Sequence, residues 1–115
     1  MVPSYDRFFS PILDALARGP AGVPQLAERA ADALGLGDEA RGETIAYDAE
    51  PVVHARTRLA VADLRRAGLV VEEGSELALT SQGREAAGAA LDRAALEQFP
   101  AYAAYRERFL ARRGA

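Results

Sequence analysis

The clearest pattern of apolar and polar positions lies between residues 53 and 67, where the spacing is that of an α-helix. At about 100° per residue, one face carries small or apolar side chains and Thr57, at Val53, Thr57, Ala60, Leu64 and Ala67. The opposite face carries Ala55, Arg58, Ala62 and Arg65, flanked by His54 and Arg66. Arg56 falls at the edge of the buried face, and Gly68 ends the pattern. We therefore predict a helix from Val53 to Ala67 with one buried face and one basic face.

The residues after this helix have the pattern of a β-hairpin. Leu69–Glu73 is rich in strand-forming residues, Gly74-Ser75 is a turn signal, and Leu77–Leu79 is a second short strand. Thr80 is a suitable N-cap for a following helix, which we expect to extend to about Leu91. The chain therefore places a two-stranded hairpin directly after its most regular helix.

Several weaker elements are predicted in the first half of the chain. In chain order they are a helix Tyr5–Ala17, an extended pair Gly22-Val23, a helix Pro24–Leu34, a turn Asp38–Arg41 and a loop Gly42–Glu50. Pro11 either kinks the first helix or, with Ser10 as the cap, restarts it. Gly35 is suited to end the second helix in a left-handed conformation.

The last segment has an aromatic stripe. Its members lie three to four residues apart, at Phe99, Tyr102, Tyr105 and Phe109, and Pro100 suits the start of a helix. The stripe could pack on the chain's own core, or it could form a dimer or partner interface. We therefore divide the chain into a domain of residues 1–92 and a C-terminal helical extension of residues 93–115.

The order of these elements predicts a mostly α-helical α+β fold of winged helix-turn-helix type, with a two-stranded wing and an additional C-terminal helix. In this arrangement the helix before the hairpin lies in the DNA major groove. The net charge of the whole chain is −3, but its distribution is uneven. Residues 51–70 hold four arginines and one acid, a local charge of +3, so the basic segment coincides with the candidate recognition helix.

Composition excludes several kinds of chemistry. The chain has no cysteine, no lysine and a single histidine, His54. Disulfides, Cys-ligated zinc and lysine-dependent catalysis are therefore excluded, and we expect neither a metal site, a cofactor nor a catalytic residue. The N-terminus lacks a signal-peptide pattern, and no apolar run approaches the roughly 20 residues that cross a membrane. These features favour a cytoplasmic protein without a membrane partner.

The candidate DNA-contacting residues are His54, Ala55, Arg56, Arg58 and Arg65. Arg58 points outward and could bind a guanine or a phosphate, whereas Arg65 lies deeper along the helix and favours phosphate. His54 and Ala55 stand at the helix start, where base-reading residues cluster. For Arg56, a structural ion pair with an acid from the first half of the chain is as reasonable as a DNA contact.

A set of short motifs in a fixed order carries a family resemblance over roughly residues 3–90. They are PSYD at Pro3–Asp6, PILDAL at Pro11–Leu16, ALGL at Ala33–Leu36, Pro51-Val52 followed by Arg56, LRRAGL at Leu64–Leu69, and LTSQGR at Leu79–Arg84. In these motifs the chain resembles the N-terminal winged-helix domain of Mrr-type restriction proteins. The tail Phe99–Tyr102 resembles the linker that follows this domain. The resemblance implies DNA binding without cleavage, since the family's nuclease function resides in a different domain.

Two functional hypotheses follow from these observations. The first is a non-catalytic protein that binds double-stranded DNA as a regulator or accessory DNA binder. Because one module of this size binds DNA weakly alone, we expect it to form a homodimer, with the interface at Phe99, Tyr102, Tyr105 and Phe109. The second is a protein-interaction module, such as an accessory subunit of a defence or regulatory complex. The acidic wing residues Glu72, Glu73 and Glu76 and the aromatic tail favour this alternative.

Overall fold

The N-terminal helix forms in two parts. The computed structural model describes residues 1–46 and 49–114; Tyr47 and Asp48 of the predicted loop and Ala115 of the predicted extension lie outside the described residues. A 3₁₀ helix at Tyr5–Phe8 leads directly into helix α1 at Phe9–Leu16. Pro11 falls in the first turn of α1, where its missing N–H breaks no helical hydrogen bond. The predicted change at Ser10-Pro11 therefore occurs slightly earlier, at Phe9.

The second helix follows a short extended segment. Ala21 forms an isolated antiparallel bridge with Leu77, in which each residue's N–H donates to the other's carbonyl oxygen at 3.1 and 2.8 Å. Helix α2 spans Val23–Ala33, and Gly35 after it has φ of +67°. This positive φ confirms the predicted left-handed helix end. Helix α3, Asp38–Arg41, is the predicted short turn.

Helix α4 spans Val52–Arg66, one residue earlier at each end than the periodicity predicts. The predicted buried residues are all buried, at Val53, Thr57, Ala60, Leu64 and Ala67. Thr57, the polar member of this face, donates its hydroxyl to the Val53 carbonyl at 2.8 Å, which satisfies it inside the core. Helices α1 and α2 both pack against α4.

The predicted hairpin forms directly after α4. Strand β1, Val70–Glu73, pairs antiparallel with β2, Glu76–Leu79, in the register Val70↔Leu79. The turn between the strands uses Gly74, whose φ of +65° suits a residue without a side chain. This two-stranded sheet with its preceding helices confirms the α+β winged-helix-like fold.

The helix after the hairpin is shorter than predicted. Helix α5 spans Ser81–Ala86, and Thr80 caps it by accepting the Gly83 N–H at 3.1 Å. It does not extend to Leu91, because the backbone is already extended at Ala87, with ψ of 135°, and Gly88 follows with φ of +90°. Two further helices complete the described chain, α6 at Arg93–Leu96 and α7 at Pro100–Gly114.

The hydrophobic core crosses the expected boundary between residues 92 and 93. Leu96 and Tyr102 belong to the same buried cluster as the side chains of α1, α2 and α4. The largest fully buried apolar side chains are Phe8, Phe9, Ile12, Leu13, Leu26, Leu64, Leu69 and Leu96. None of the helices in the described ranges is long and apolar enough to cross a membrane.

Candidate nucleic-acid interface

The outer face of α4 carries the two arginines predicted to point outward. Arg58 is 55% exposed and Arg65 is 47% exposed, which confirms their predicted orientation. The residues are seven apart, so two helical turns, about 10 Å, separate their positions along the axis. His54 and Arg56 are half-buried at the N-terminal end of the same helix.

Ala55 does not point outward as predicted. Its side chain is only 8% exposed, so the outward orientation predicted for it is wrong. The helical periodicity predicts a single buried face for this helix, but α4 packs against the 3₁₀ helix, α1, α2, β1 and α7. A helix enclosed on several sides has a wider buried arc, and Ala55, Val61 and Asp63 fall within it.

Arg58 forms a bidentate ion pair with Glu50, which precedes α4. Its Nε donates to Glu50 Oε1 at 2.8 Å, and its Nη2 donates to Oε2 at 2.6 Å. Glu50 is half-buried, whereas Arg58 projects from the helix. Two parallel hydrogen bonds to one carboxylate fix the plane of the guanidinium, which a single contact would not do.

Arg65 forms the second outward pair, with the wing. Its Nη1 donates to Glu72 Oε1 at 2.9 Å, and both side chains are exposed. Glu72 lies on β1, so this pair joins the C-terminal end of α4 to the hairpin. The acidic character of the wing therefore acts directly on the basic face of the helix.

Arg56 has a structural partner, but not the one predicted. Its Nη1 donates to the carbonyl oxygen of Pro3 at 3.0 Å, whereas the structural alternative predicted for it was an ion pair with an acid from the first half of the chain. The contact ties α4 to the extended segment before the 3₁₀ helix. Arg56 therefore supports the N-terminal packing in the position where the periodicity placed it, at the edge of the buried face.

A polar cluster on the inner edge of α4 was not predicted. Asp63 is only 5% exposed, and its two carboxylate oxygens accept from the Tyr5 hydroxyl and from Arg66 Nη1, each at 3.0 Å. The Arg66 guanidinium also lies over the Tyr105 ring, 4.5 Å from its centre. The three-residue spacing of Asp63 and Arg66 was the available sequence signal. The cluster joins the 3₁₀ helix, α4 and α7.

The Tyr5 phenol in this cluster titrates at unusually high pH. Burial of the hydroxyl, followed by its hydrogen bond to the Asp63 carboxylate, raises the pKa of Tyr5 to about 12. Both causes favour the neutral phenol, because a phenolate would be poorly solvated and would face a carboxylate.

The aromatic stripe of the tail divides into two halves. Tyr102 is 3% exposed and Phe99 is half-buried against the core, so these two residues pack within their own chain. Tyr105 is half-buried, and Phe109, which stacks on it with ring centres 6.2 Å apart, is 45% exposed. The four residues therefore do not form one exposed interface, although the distal half remains accessible.

The side chains that the structure describes on α4 offer guanidinium groups that could contact an anion. Among the residues that the structure describes, no group of three or more His, Asp or Glu side chains could hold a metal ion. Across the described parts of the chain, every buried side-chain nitrogen and oxygen has a hydrogen-bond partner. The arginine guanidinium groups of α4, each hydrogen-bonded to a carboxylate or carbonyl oxygen, are therefore the groups that could bind an anionic ligand.

The fold and this basic helix define a winged-helix-like domain. The chain belongs to the Mrr N-terminal domain family, which matches residues 5–89. It is also 43% identical over 70 residues to the type IV methyl-directed restriction enzyme EcoKMrr of Escherichia coli K12. That alignment covers 59% of this chain and 23% of the enzyme, so the chain spans about a quarter of that relative. No solved structure matches the chain.

Proposed function

We propose that the chain binds double-stranded DNA without catalysis, with the outer face of α4 in the major groove. The observation that carries this proposal is the position of Arg58 and Arg65, exposed on the helix before the wing. Membership of the Mrr N-terminal domain family, together with a curated relative named as a methyl-directed restriction enzyme, supports it independently. His54, half-buried at the start of α4, is the third proposed contact.

The two arginines contribute differently to the proposed complex. Arg58 lies in the N-terminal half of α4, where base-reading residues of such helices are found, and its guanidinium plane is fixed by Glu50. Arg65 is two turns further along and beside the wing, where a phosphate contact is more favourable. Arg56 supports the N-terminal segment from its contact with Pro3 and stabilises the helix position indirectly.

A titration by fluorescence anisotropy tests DNA binding. The wild type and the double variant Arg58→Ala/Arg65→Ala are titrated with a mixed-sequence duplex between about 50 mM and about 200 mM salt. The double variant is expected to bind more weakly, with a salt slope shallower by about 0.9 for each phosphate that the protein no longer neutralises. Arg18→Ala/Arg29→Ala is the matched control, because these residues line a groove between α1 and α2. Undetectable wild-type binding at low salt, or equally weakened binding in both variants, would overturn the proposal.

A homodimer formed through the distal half of α7 is the proposed oligomer. Among the described residues, large apolar side chains are exposed at Met1, Leu59, Val71, Phe109 and Leu110. Phe109 and Leu110 are neighbours on α7, and a second copy would cover both while giving the DNA two recognition helices. Light scattering after gel filtration should report a dimer that Phe109→Ser dissociates and Val71→Ser does not. A monomeric wild type contradicts the dimer but not DNA binding.

A protein partner is the second candidate occupant of the same surface. The observation that favours it is the exposed aromatic and aliphatic end of α7, which no described element of this chain covers. A stoichiometric protein complex that forms in the absence of DNA affinity, and that Phe109→Ser abolishes, would replace the first proposal.

Because the curated relative is named methyl-directed, a methylated and an unmethylated duplex are compared in the anisotropy titrations.

A further inference from the structure

Each arginine of the proposed DNA-binding face is already bound to a carboxylate of its own chain. Glu50 holds Arg58, and Glu72 holds Arg65. We propose that Glu50 and Glu72 are specificity determinants, because they compete with DNA for the two arginines and so weaken binding to DNA of unrelated sequence. This inference rests on the proposed function, since it concerns how the same helix selects its DNA.

The backbone around Glu50 is held in place before α4 begins. The Val52 N–H donates to the Glu43 carbonyl at 2.9 Å, and the Ile45 N–H donates to the Glu50 carbonyl at 2.8 Å. Thr44 and Pro51 form an isolated bridge across the same segment. These contacts fix the position of Glu50, so its carboxylate meets Arg58 without a large loss of backbone freedom when the pair forms.

Glu72 reaches Arg65 from a defined place on the hairpin. It pairs with Leu77 in the register of β1 and β2, and its neighbour Glu73 pairs with Glu76. Successive side chains of a strand point to opposite faces. Glu72 therefore faces α4, whereas Glu73 carries the same charge on the same strand but on the other face of the wing.

The Arg65–Glu72 pair is exposed on both sides, and an exposed pair of this kind is weak enough to be exchanged for a phosphate at the same distance. The Arg58–Glu50 pair is bidentate and its carboxylate is half-buried, so it competes with DNA more strongly, although its guanidinium is exposed to an incoming ligand. Binding to unrelated DNA depends almost entirely on such phosphate contacts. The competing carboxylates therefore weaken nonspecific binding, in which no base contact compensates for the loss of the two ion pairs.

The experiment measures affinity for a mixed-sequence duplex with isosteric amide variants. Glu50→Gln and Glu72→Gln are each expected to bind it roughly two- to fivefold more tightly than the wild type. Glu73→Gln and Glu39→Gln remove the same charge from the wing and from α3, at positions that are not ion-paired to α4 within the described parts of the chain. They should raise affinity less than the paired variants do.

A double-mutant cycle separates competition for an arginine from a general change of charge. If Glu72 acts through Arg65, Glu72→Gln in an Arg65→Ala background should raise affinity no more than Glu73→Gln does in the same background. The same cycle applies to Glu50 and Arg58, with circular dichroism to establish that each variant is folded. Equal gains for paired and control glutamates, or gains of the paired variants that persist undiminished without the arginines, would overturn the inference while leaving DNA binding intact. Undetectable binding by every variant would instead contradict the proposed function and the inference with it.

Discussion

Helix α4 presents arginines in two settings that differ in the burial of their partners. On the outer face, Arg58 and Arg65 pair with Glu50 and Glu72, and the arginines project into solvent. On the inner edge, Arg66 pairs with Asp63, which is almost fully buried and also accepts from Tyr5. The inner cluster of Asp63, Arg66, Tyr5 and Tyr105 joins three elements, whereas we propose that the outer pairs exchange their carboxylates for DNA.

The difference follows from the cost of burying a charge. A buried carboxylate loses its water and needs hydrogen-bond donors in compensation, so removing a partner leaves a large penalty. A carboxylate at the surface regains water when its partner leaves, and the measured stabilisation is only about 0–1 kcal/mol. Substitutions in the inner cluster should therefore lower the free energy of unfolding, whereas substitutions of the outer arginines should mainly lower the affinity for DNA.

The largest effect on stability is expected at Asp63. Asp63→Ala removes the acceptor for both the Tyr5 hydroxyl and Arg66 Nη1. We expect a loss of about 2–3 kcal/mol in the free energy of unfolding, near the lower end for a buried pair because Arg66 can be rehydrated. Urea denaturation measures it. Glu73→Ala, at an exposed wing position, should remain within about 0.5 kcal/mol of the wild type. A comparable loss in both variants would remove the distinction between the two settings.

A smaller effect, with a characteristic pH dependence, is expected at Tyr5. Tyr5→Phe deletes the hydrogen bond to Asp63 and should cost about 1 kcal/mol near neutral pH. The pKa of Tyr5 is raised to about 12 from the ordinary value of 10.0, so the folded state favours the protonated phenol. Its contribution is therefore fully present below pH 10 and is lost as the pH rises towards 12. Denaturation across this window should show a steeper decline for the wild type than for Tyr5→Phe, and parallel curves would contradict the assignment.

The smallest effect on stability is expected at Arg65. Arg65→Ala breaks an exposed pair and should change the free energy of unfolding by less than about 0.5 kcal/mol. The same substitution should weaken binding to a mixed-sequence duplex severalfold, because it removes the proposed phosphate contact. Paired urea and anisotropy measurements on one preparation provide the comparison. A large loss of stability with unchanged affinity would show that Arg65 has a structural role like that of Arg66.

The elements that the sequence predicted well are those that depend on local pattern. The limits of α4 differed by one residue at each end, and Thr80 was predicted correctly as the cap of α5. Ala55 was placed on the wrong side because its burial depends on several packing elements, which one helix's periodicity does not contain. The partners of Arg58 and Arg65 were also missed. They come from the preceding loop and from the wing, and only the folded chain brings them to the helix.

We propose that DNA lies against the outer face of α4. Backbone NMR shift mapping tests this placement most directly. An isotope-labelled protein is titrated with a short duplex at low salt, and the amide shifts are followed residue by residue. We predict the largest shifts in α4 from His54 to Arg65 and at Glu72 on the wing, with the groove between α1 and α2 unaffected. Shifts confined to α7 around Tyr105 and Phe109, or no shifts at any concentration of duplex, would contradict the account.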